Sequence, residues 1–353
     1  MERGETAPVS IYGYCKKLLL IFFYPNQSQY CDICFRRTSI NTEQEIREIV
    51  GEKIRGYRMN KSIVYIIKQR FSCRTYLKKP IEEDHQRALI EFLESNHTGP
   101  LGTRARFALI AATEYDRKSL KGLGTYGFIK DAAGFIVGAL EQEPKNLEDY
   151  GYLLEHAVLY ATDIGLGTCW LGGSFTKSSF AKKITVTSTE IVPAVVAVGY
   201  SASNADIRSQ IRKRAGAQHR FPKEQLFFDR FFGNSLNKEN IREYADVLEM
   251  VRWAPSASNK QPWRIIRSDG AWHFYLQRTQ GYGKGTLTFN LLRLADLQRI
   301  DMGIAMCHFE LAAHEFNLPG RWLVDEPGII KPENVEYIAS WTTVPSERLI
   351  NEA

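Results

Sequence analysis

Residues 252–263 read Arg-Trp-Ala-Pro-Ser-Ala-Ser-Asn-Lys-Gln-Pro-Trp, and the turn the chain must make here decides how the rest is read. Val247, Leu248 and Val251 recur at helical spacing just upstream, so an amphipathic helix runs into the stretch. Pro255 stops it, because its ring removes an N–H and clashes with the preceding turn. Beyond the proline, Ser256, Ser258 and Asn259 set hydroxyls and an amide at short intervals on backbone that has just left a helix. That donor and acceptor set suits a sugar-like chain or the edge of a heteroaromatic ring. Taken alone, the same residues read more readily as an ordinary polar loop.

A second stretch, Arg70-Phe71-Ser72-Cys73-Arg74, changes that balance. Ile63, Ile66 and Ile67 predict a helix before it, which puts Arg70 near a helix C-terminus, where a cation is favoured. If the chain then extends, Arg70, Ser72 and Arg74 alternate onto one side. Two guanidinium forks flanking a hydroxyl suit phosphate oxygens, although the motif by itself also reads as a solvated basic patch.

Together the two motifs resemble the FMN-dependent nitroreductase family. Tyr76, Pro80 and Ile81 follow the first motif as an aromatic residue and a Pro-Ile pair do in that family, and Ala254 to Trp263 matches its Ala-Pro-Ser-x-x-Asn-x-Gln-Pro-Trp loop. Gly165 to Gly173, Val192 to Tyr200 and His219-Arg220-Phe221-Pro222 add further matches, so the likeness rests on motifs in combination over roughly residues 60 to 345. The resemblance implies FMN as cofactor, NAD(P)H as reductant and a small-molecule electron acceptor such as a nitroaromatic or quinone, exchanged by ping-pong hydride transfer. Carried over residue by residue, it implies that Arg70, Ser72 and Arg220 hold the FMN phosphate, with Phe71 in the same cofactor-binding set. Arg74 would reach the ribityl chain or the N1/O2 edge of the ring, and the backbone N–H groups of Gly172 and Gly173 would meet flavin N5. Pro255, Ser256, Ala257, Ser258 and Asn259 would close over the ring. No metal and no side-chain nucleophile is called for. A reductive dehalogenase, another reaction of the superfamily, or a non-enzymatic flavin sensor stays open on the same residues.

One departure is large. In the family the two motifs lie a few dozen residues apart in one subunit, whereas here about half the chain separates Arg74 from Pro255. An internal repeat accounts for this. Leu89-Ile90-Glu91-Phe92 aligns with Val247-Leu248-Glu249-Met250, and Asp163 to Leu171 aligns with Asp301 to Phe309 with Asp, Gly and Cys recurring in place. On the first alignment, Glu94 to Gly99 stand where the second half has Arg252 to Ala257, so the first half lacks the Pro-Ser-Asn loop. The second half, around Phe231 to Asn234, lacks the Arg-x-Ser-x-Arg element. Family members form each flavin site between two subunits, so the expectation is a single-chain pseudo-dimer with one intact and one decayed site. It resembles the two-half subgroup, with residues 59–228 as first half and 229–345 as second, and it should be a monomer.

The chain has 353 residues, 44% of them apolar and 24% charged, which fits a globular protein with a sizeable core. A formal charge of +6 and the basic run Arg208 to Arg214 raise nucleic acid as a partner, but no helix-turn-helix, RNP-like or zinc-finger pattern accompanies them, so none is expected. Leu18 to Tyr24 is apolar but far shorter than the roughly 20 residues of a membrane helix, and no membrane association is expected. Residues 1–58 match nothing in the family and read as an N-terminal extension or a start codon placed upstream of Met59. Cys31-x-x-Cys34 lacks a partner pair, and Cys73, Cys169 and Cys307 sit in apolar or motif segments, which fits a reducing cytoplasm. Gly122 to Gly127 matches a dinucleotide-binding pattern but leads into strand-like sequence, and His156 reads as a packed core histidine.

The periodicities predict helices at 60–70, 82–94, 148–163, 237–252 and 290–316, and strands at 105–112, 126–138, 192–200, 263–268, 271–277 and 334–342. The fold class is α+β, nitroreductase-like, with two tandem halves.

Overall fold

Ser62 caps the first helix, α1 (Ile63–Gln69), by accepting the Tyr65 N–H, and Ile63, Ile66 and Ile67 are its buried face. Helix α2 (Glu83–Ser95) opens on Glu83 and Asp84, which suit a positive helix N-terminus, and buries Leu89, Phe92 and Leu93. The chain continues through β1 (Ala105–Ile110), β2 (Gly134–Glu141), α3 (Asn146–Asp163), β3 (Gly167–Leu171), α4 (Lys177–Lys183), β4 (Glu190–Ile191) and β5 (Val195–Gly199). Its strands form an antiparallel sheet in the order β1-β2-β5-β3, with β4 added beside β2. The structure is a computed structural model that describes residues 59–110, 129–173, 177–202, 219–237, 241–284, 286, 289 and 294–343. The extension 1–58 with Cys31 and Cys34, the Gly122 to Gly127 turn and the basic run at 208–214 lie outside the described residues.

The second half begins ahead of the expected boundary at 228/229, because β6 (Phe227–Asp229) pairs with the second sheet; α5 (Lys223–Leu226) leads into it, and α6 (Ala245–Trp253), β7 (Trp263–Ser268) and β8 (Ala271–Gln277) follow. Asp269 and Gly270 both take positive φ, the two-residue hairpin turn that fixes where β7 stops and β8 starts. Helix α7 (Leu297–Glu315), β9 (Gly320–Leu323) and β10 (Val335–Thr343) complete it. The second sheet runs β6-β7-β8-β10-β9, with β6 parallel to β7 and the other pairings antiparallel. Leaving out β6, the order β7-β8-β10-β9 matches β1-β2-β5-β3 position for position. The repeat is therefore a repeat of fold, and α3 is the counterpart of α7.

That equivalence corrects one alignment. Asp163 is the last residue of α3 and Gly167 to Leu171 is a strand, whereas Asp301 to Phe309 lies in the middle of α7. The sequence match pairs a strand with a helix because both are buried and apolar, so matches accumulate whatever the periodicity. Asp163 corresponds instead to Glu315, at the other helix end; both carboxylates accept N–H groups from the start of the described chain, Asn60 and Lys61 on Asp163 and Ile63 on Glu315. The sequence also missed β3, β4, β6, β9, α4 and α5, which are too short for a period to emerge. Helix α7 begins at Leu297, later than expected, and β2 is displaced toward Glu141. His156 packs edge-on against Phe92, and burial pushes its pKa down to about 4.

Helices α3 and α7 are buried on almost every side, as helices of a shared core must be. One apolar cluster includes Ile136 and Val196 of the first sheet, Leu154 and Val158 of α3, Met306 and Phe309 of α7, and Ile265 and Phe274 of the second sheet. The helices cross at two glycines. A Cβ on Gly151 would overlap the carbonyl oxygen of Ile300, and one on Gly303 would overlap that of Glu148. Arg299 of α7 closes the same crossing with a two-pronged ion pair to Glu148 of α3, at 2.9 and 2.5 Å. Gly151→Ala or Gly303→Ala has only backbone to push against, so each should destabilise the protein by about 1–3 kcal/mol, the range for overpacking a core. Urea denaturation of the two variants measures it.

Candidate functional site

Arg70 caps α1 with extended backbone, and the chain then meets β3, where Ser72 bridges Thr168 and Cys73 N–H donates to Thr168 O at 2.8 Å, before Thr75 bridges Lys130 and Tyr76 bridges Ser201. Extension sets Phe71 and Cys73 into the core and leaves Ser72 and Arg74 half-buried on the other side. At the far end of β3, Gly172 and Gly173 follow Leu171. A Cβ on Gly172 would come within 2.6 Å of the Leu297 side chain of α7, so the first half meets the second here at the width of a glycine.

The opposite wall comes from the turn after α6. Ala254 is extended, as a residue before proline tends to be, and Ser258, Asn259 and Gln261 all take positive φ, at 51°, 54° and 46°. Such backbone costs about 1–3 kcal/mol per residue and persists where its surroundings dictate it. Arg220 does much of that here: it donates to Trp253 O, Ala254 O and Asn259 Oδ1 at 2.9–3.0 Å. Gln261 adds a second clasp, accepting from Phe221 N–H and donating to His219 O, while its own N–H reaches Ser256 Oγ.

Between these walls lies a cavity of about 500 Å³, lined by both halves. Ser72, Arg74, Trp170, Gly172 and Gly173 come from the first, and Pro255, Ser256, Ala257, Ser258 and Tyr282 from the second. One face of α7, Leu297, Ile300, Asp301 and Ile304, completes the lining at helical spacing. Of the residues named from sequence, Arg70, Phe71, Arg220 and Asn259 are not among its lining. Arg70 and Phe71 border a second cavity of about 170 Å³, and Arg220 and Asn259 bond within the turn itself. Sequence reasoning missed Asp301, Tyr282 and Trp170 as site residues; the one usable signal was an acid, Asp301, in an otherwise apolar helix segment.

Charge is distributed unevenly around the cavity. Arg74 has no carboxylate partner among the described residues, and so leaves a half-buried cation facing the space. Asp301 is buried, accepts the Ala257 N–H at 2.9 Å and has its carboxyl held well above the usual carboxylate range by burial. Burial also pushes the Cys169 thiol up to about 11, which removes it as a nucleophile near neutral pH. Beneath Trp170 the indole N–H donates to Glu155 at 2.7 Å, and the other oxygen of that carboxyl meets His308 Nε2 at 2.9 Å and Arg70 Nε at 3.9 Å. His308 Nδ1 faces Met250 O and therefore carries a proton, since a carbonyl only accepts. This buried network runs from the helix cap at Arg70 through α3 to α7, and it holds Arg70 behind the cavity wall.

The sequence model of the family described as "Putative TM nitroreductase" matches residues 62–313. The chain belongs to this nitroreductase family. Among solved structures, one described as "a putative nitroreductase" from Thermotoga maritima msb8 is 19% identical, with a TM-score of 0.51, and the match covers 82% of this chain and 97% of that one. A nitroreductase "in complex with fmn" from Desulfovibrio desulfuricans is 21% identical over 41% of this chain and 88% of that one, with a TM-score of 0.33. An "FMN-dependent Nitroreductase" from Clostridium difficile R20291 is 17% identical over 51% and 95%, with a TM-score of 0.32. No curated protein matches the sequence. The Thermotoga protein shares the nitroreductase fold along nearly its whole length, so both halves of this chain belong to one nitroreductase fold.

Arg220→Ala removes three bonds that hold the turn in its left-handed conformation. We expect faster hydrogen exchange at residues 254–261 and a loss of about 1.5–3 kcal/mol of stability, the range for hydrogen bonds from a charged group. Arg220→Lys should not restore the turn, because an ammonium cannot reproduce the planar fork. Hydrogen-exchange mass spectrometry of the two variants checks both expectations.

Proposed function

We propose that this nitroreductase-family protein is an FMN-dependent oxidoreductase that takes reducing equivalents from NAD(P)H in the cytoplasm and delivers them to a small electrophile, such as a nitroaromatic or a quinone. One observation carries the reading: Ser72 and Arg74 of one half and Pro255 to Ser258 of the other line a single cavity, and Arg74 stands in it with no carboxylate partner among the described residues. A cation so placed favours a ligand that is anionic or gains negative charge. The volume of about 500 Å³ falls within the usual range of cofactor sites.

FMN, when bound, supplies the hydride chemistry. Arg74 would lie against the electron-rich edge of the ring and stabilise the charge that arrives with reduction. Ser72 would donate to the ribityl or phosphate end. Gly172 and Gly173 bring backbone rather than side chains to the cavity, so their N–H groups can approach a ring closely. The 255–259 turn, clasped by Arg220 and Gln261, would cover the ring, with Ser258 Oγ 3.3 Å from the Tyr282 hydroxyl at its rim. Leu297, Ile300 and Ile304 supply apolar surface that excludes water. Arg70, held behind the wall by Glu155, would act on this site through the network rather than by contact.

The purified protein should carry FMN that heat releases into the supernatant, and NAD(P)H should bleach it without oxygen until a quinone or nitroaromatic restores the colour. A protein with neither bound flavin nor uptake of added FMN overturns the reading. Flavin that binds but is not bleached makes it a sensor. Arg74→Ala should weaken FMN binding by about 1.5–3 kcal/mol, measured by fluorescence titration.

Assembly follows from the same reading. The contact that would otherwise join two subunits is made within this chain, by α3 and α7 and by the shared core. Light scattering combined with flavin titration should find a monomer with one FMN; two per chain would refute the single-site proposal.

A further inference from the structure

The repeat supplies an internal control for one residue of the cavity. Asp149 of α3 and Asp301 of α7 occupy the same place, each two residues before the glycine at the helix crossing. Both are buried, at 1% and 2% exposure. Asp149 is saturated: one oxygen accepts the Leu101 N–H at 2.9 Å, the other the Thr103 N–H at 2.7 Å, and Gly99 folds directly onto its side chain. Asp301 receives a single bond, from Ala257 N–H to Oδ1, while Oδ2 has no partner and the residue lines the cavity. In one half the loop has closed over the acid; in the other, half of the acid is left over beside a space large enough for a ligand.

No cation pairs with Asp301 among the described residues. An ion buried in that way is costly, whereas a neutral carboxylic acid in the same place has an O–H to give. Leu297, one turn earlier on the same face of α7, abuts Gly172, so Asp301 sits between the end of β3 and the 255–259 turn. On the flavin reading given above, that is where the ring system would lie. We propose that Asp301, as a neutral carboxylic acid, donates a hydrogen bond from Oδ2 to an uncharged acceptor of the flavin ring, a carbonyl oxygen or an imine nitrogen. Burial holds its carboxyl well above the usual carboxylate range, which agrees with the donor role. Asp149 then only docks a loop, and Asp301 combines docking with ligand contact.

Titration of the flavin-free protein with FMN, followed by flavin fluorescence and visible absorption, compares the parent with D301N, D301A and D149N. An amide accepts from Ala257 and still donates, so D301N should bind within about threefold of the parent. D301A should lose about tenfold or more, the scale of one well-placed hydrogen bond, and the bands of its bound flavin should shift. D149N should lower the melting temperature and leave FMN affinity unchanged. Parent-like affinity and bands in D301A overturn the inference, as does a tenfold loss with unmoved bands, which leaves loop docking alone. D301N falling together with D301A also overturns it, since a charge and not a donor would then be required. If D301A does not fold, the bands of flavin bound to D301N decide: a shift supports contact and identity with the parent refutes it. A parent protein that binds no FMN overturns the flavin reading and this inference together, whereas binding by the parent with no loss in D301A overturns this inference alone.

Discussion

Backbone contact between α3 and α7 is the constraint on which the rest of the structure depends. With no side chain at Gly151 or Gly303, the two helices approach until carbonyl oxygens of one fill the space beside the glycines of the other. Approach this close fixes rotation as well as distance, because few orientations of two helices allow it. Glu148 and Arg299 then face each other across the crossing, and Glu155 meets His308 in the interior. A fixed rotation also decides which face of α7 is turned toward β3. Leu297, Ile300, Asp301 and Ile304 line a cavity for that reason, while Met306 and Phe309 fill the core.

The repeat of fold lets one chain hold two unlike versions of the same arrangement. Both halves keep the strand order, the helix that crosses at a glycine, and the acid two residues before it. They differ in what covers that acid. After α2 the chain lies down on Asp149 with two N–H groups; after α6 it is held away, tied through Arg220 and Gln261 in a left-handed turn that touches Asp301 once. Strain in three residues of the second turn is thus set against a set of charged and amide hydrogen bonds drawn from residues 219–221. Those residues lead into β6, which joins the second sheet, so the clasp and the sheet edge are parts of one segment.

Buried polarity is concentrated at the same centre. Trp170, Glu155, His308 and Arg70 form a chain of hydrogen bonds and charges with its carboxylate and imidazole wholly excluded from solvent. Groups so deeply placed are tolerable because each has a partner, and breaking one contact would leave another charge without compensation. The network places Arg70 beside Glu155 at the end of α1, and it links the wall of the cavity to the helix pair.

How much of this was legible without coordinates varies with the range of the interaction concerned. Local signals read well: the alternating stretches at 263–268 and 271–277 are β7 and β8, Pro255 ends α6, and the isoleucine spacing places α1, since neighbours in the chain decide these features. Motifs in combination also carried the family, the α+β class and the existence of a repeat. The register of that repeat failed between α3 and α7, where uniform burial erases the periodicity that separates helix from strand. Burial of Arg70 against Glu155 and the use of Arg220 on its own turn have no signature in sequence, and Asp301 shows there only as an acid in an apolar helix segment, not as a half-satisfied one. Each depends on atoms brought from distant segments, and α3 and α7 had to pack before any of those groups acquired a partner. The chain by itself determined which elements form and which chemistry is available; the packing of one half on the other decided which residues face the cavity and which hold it in shape.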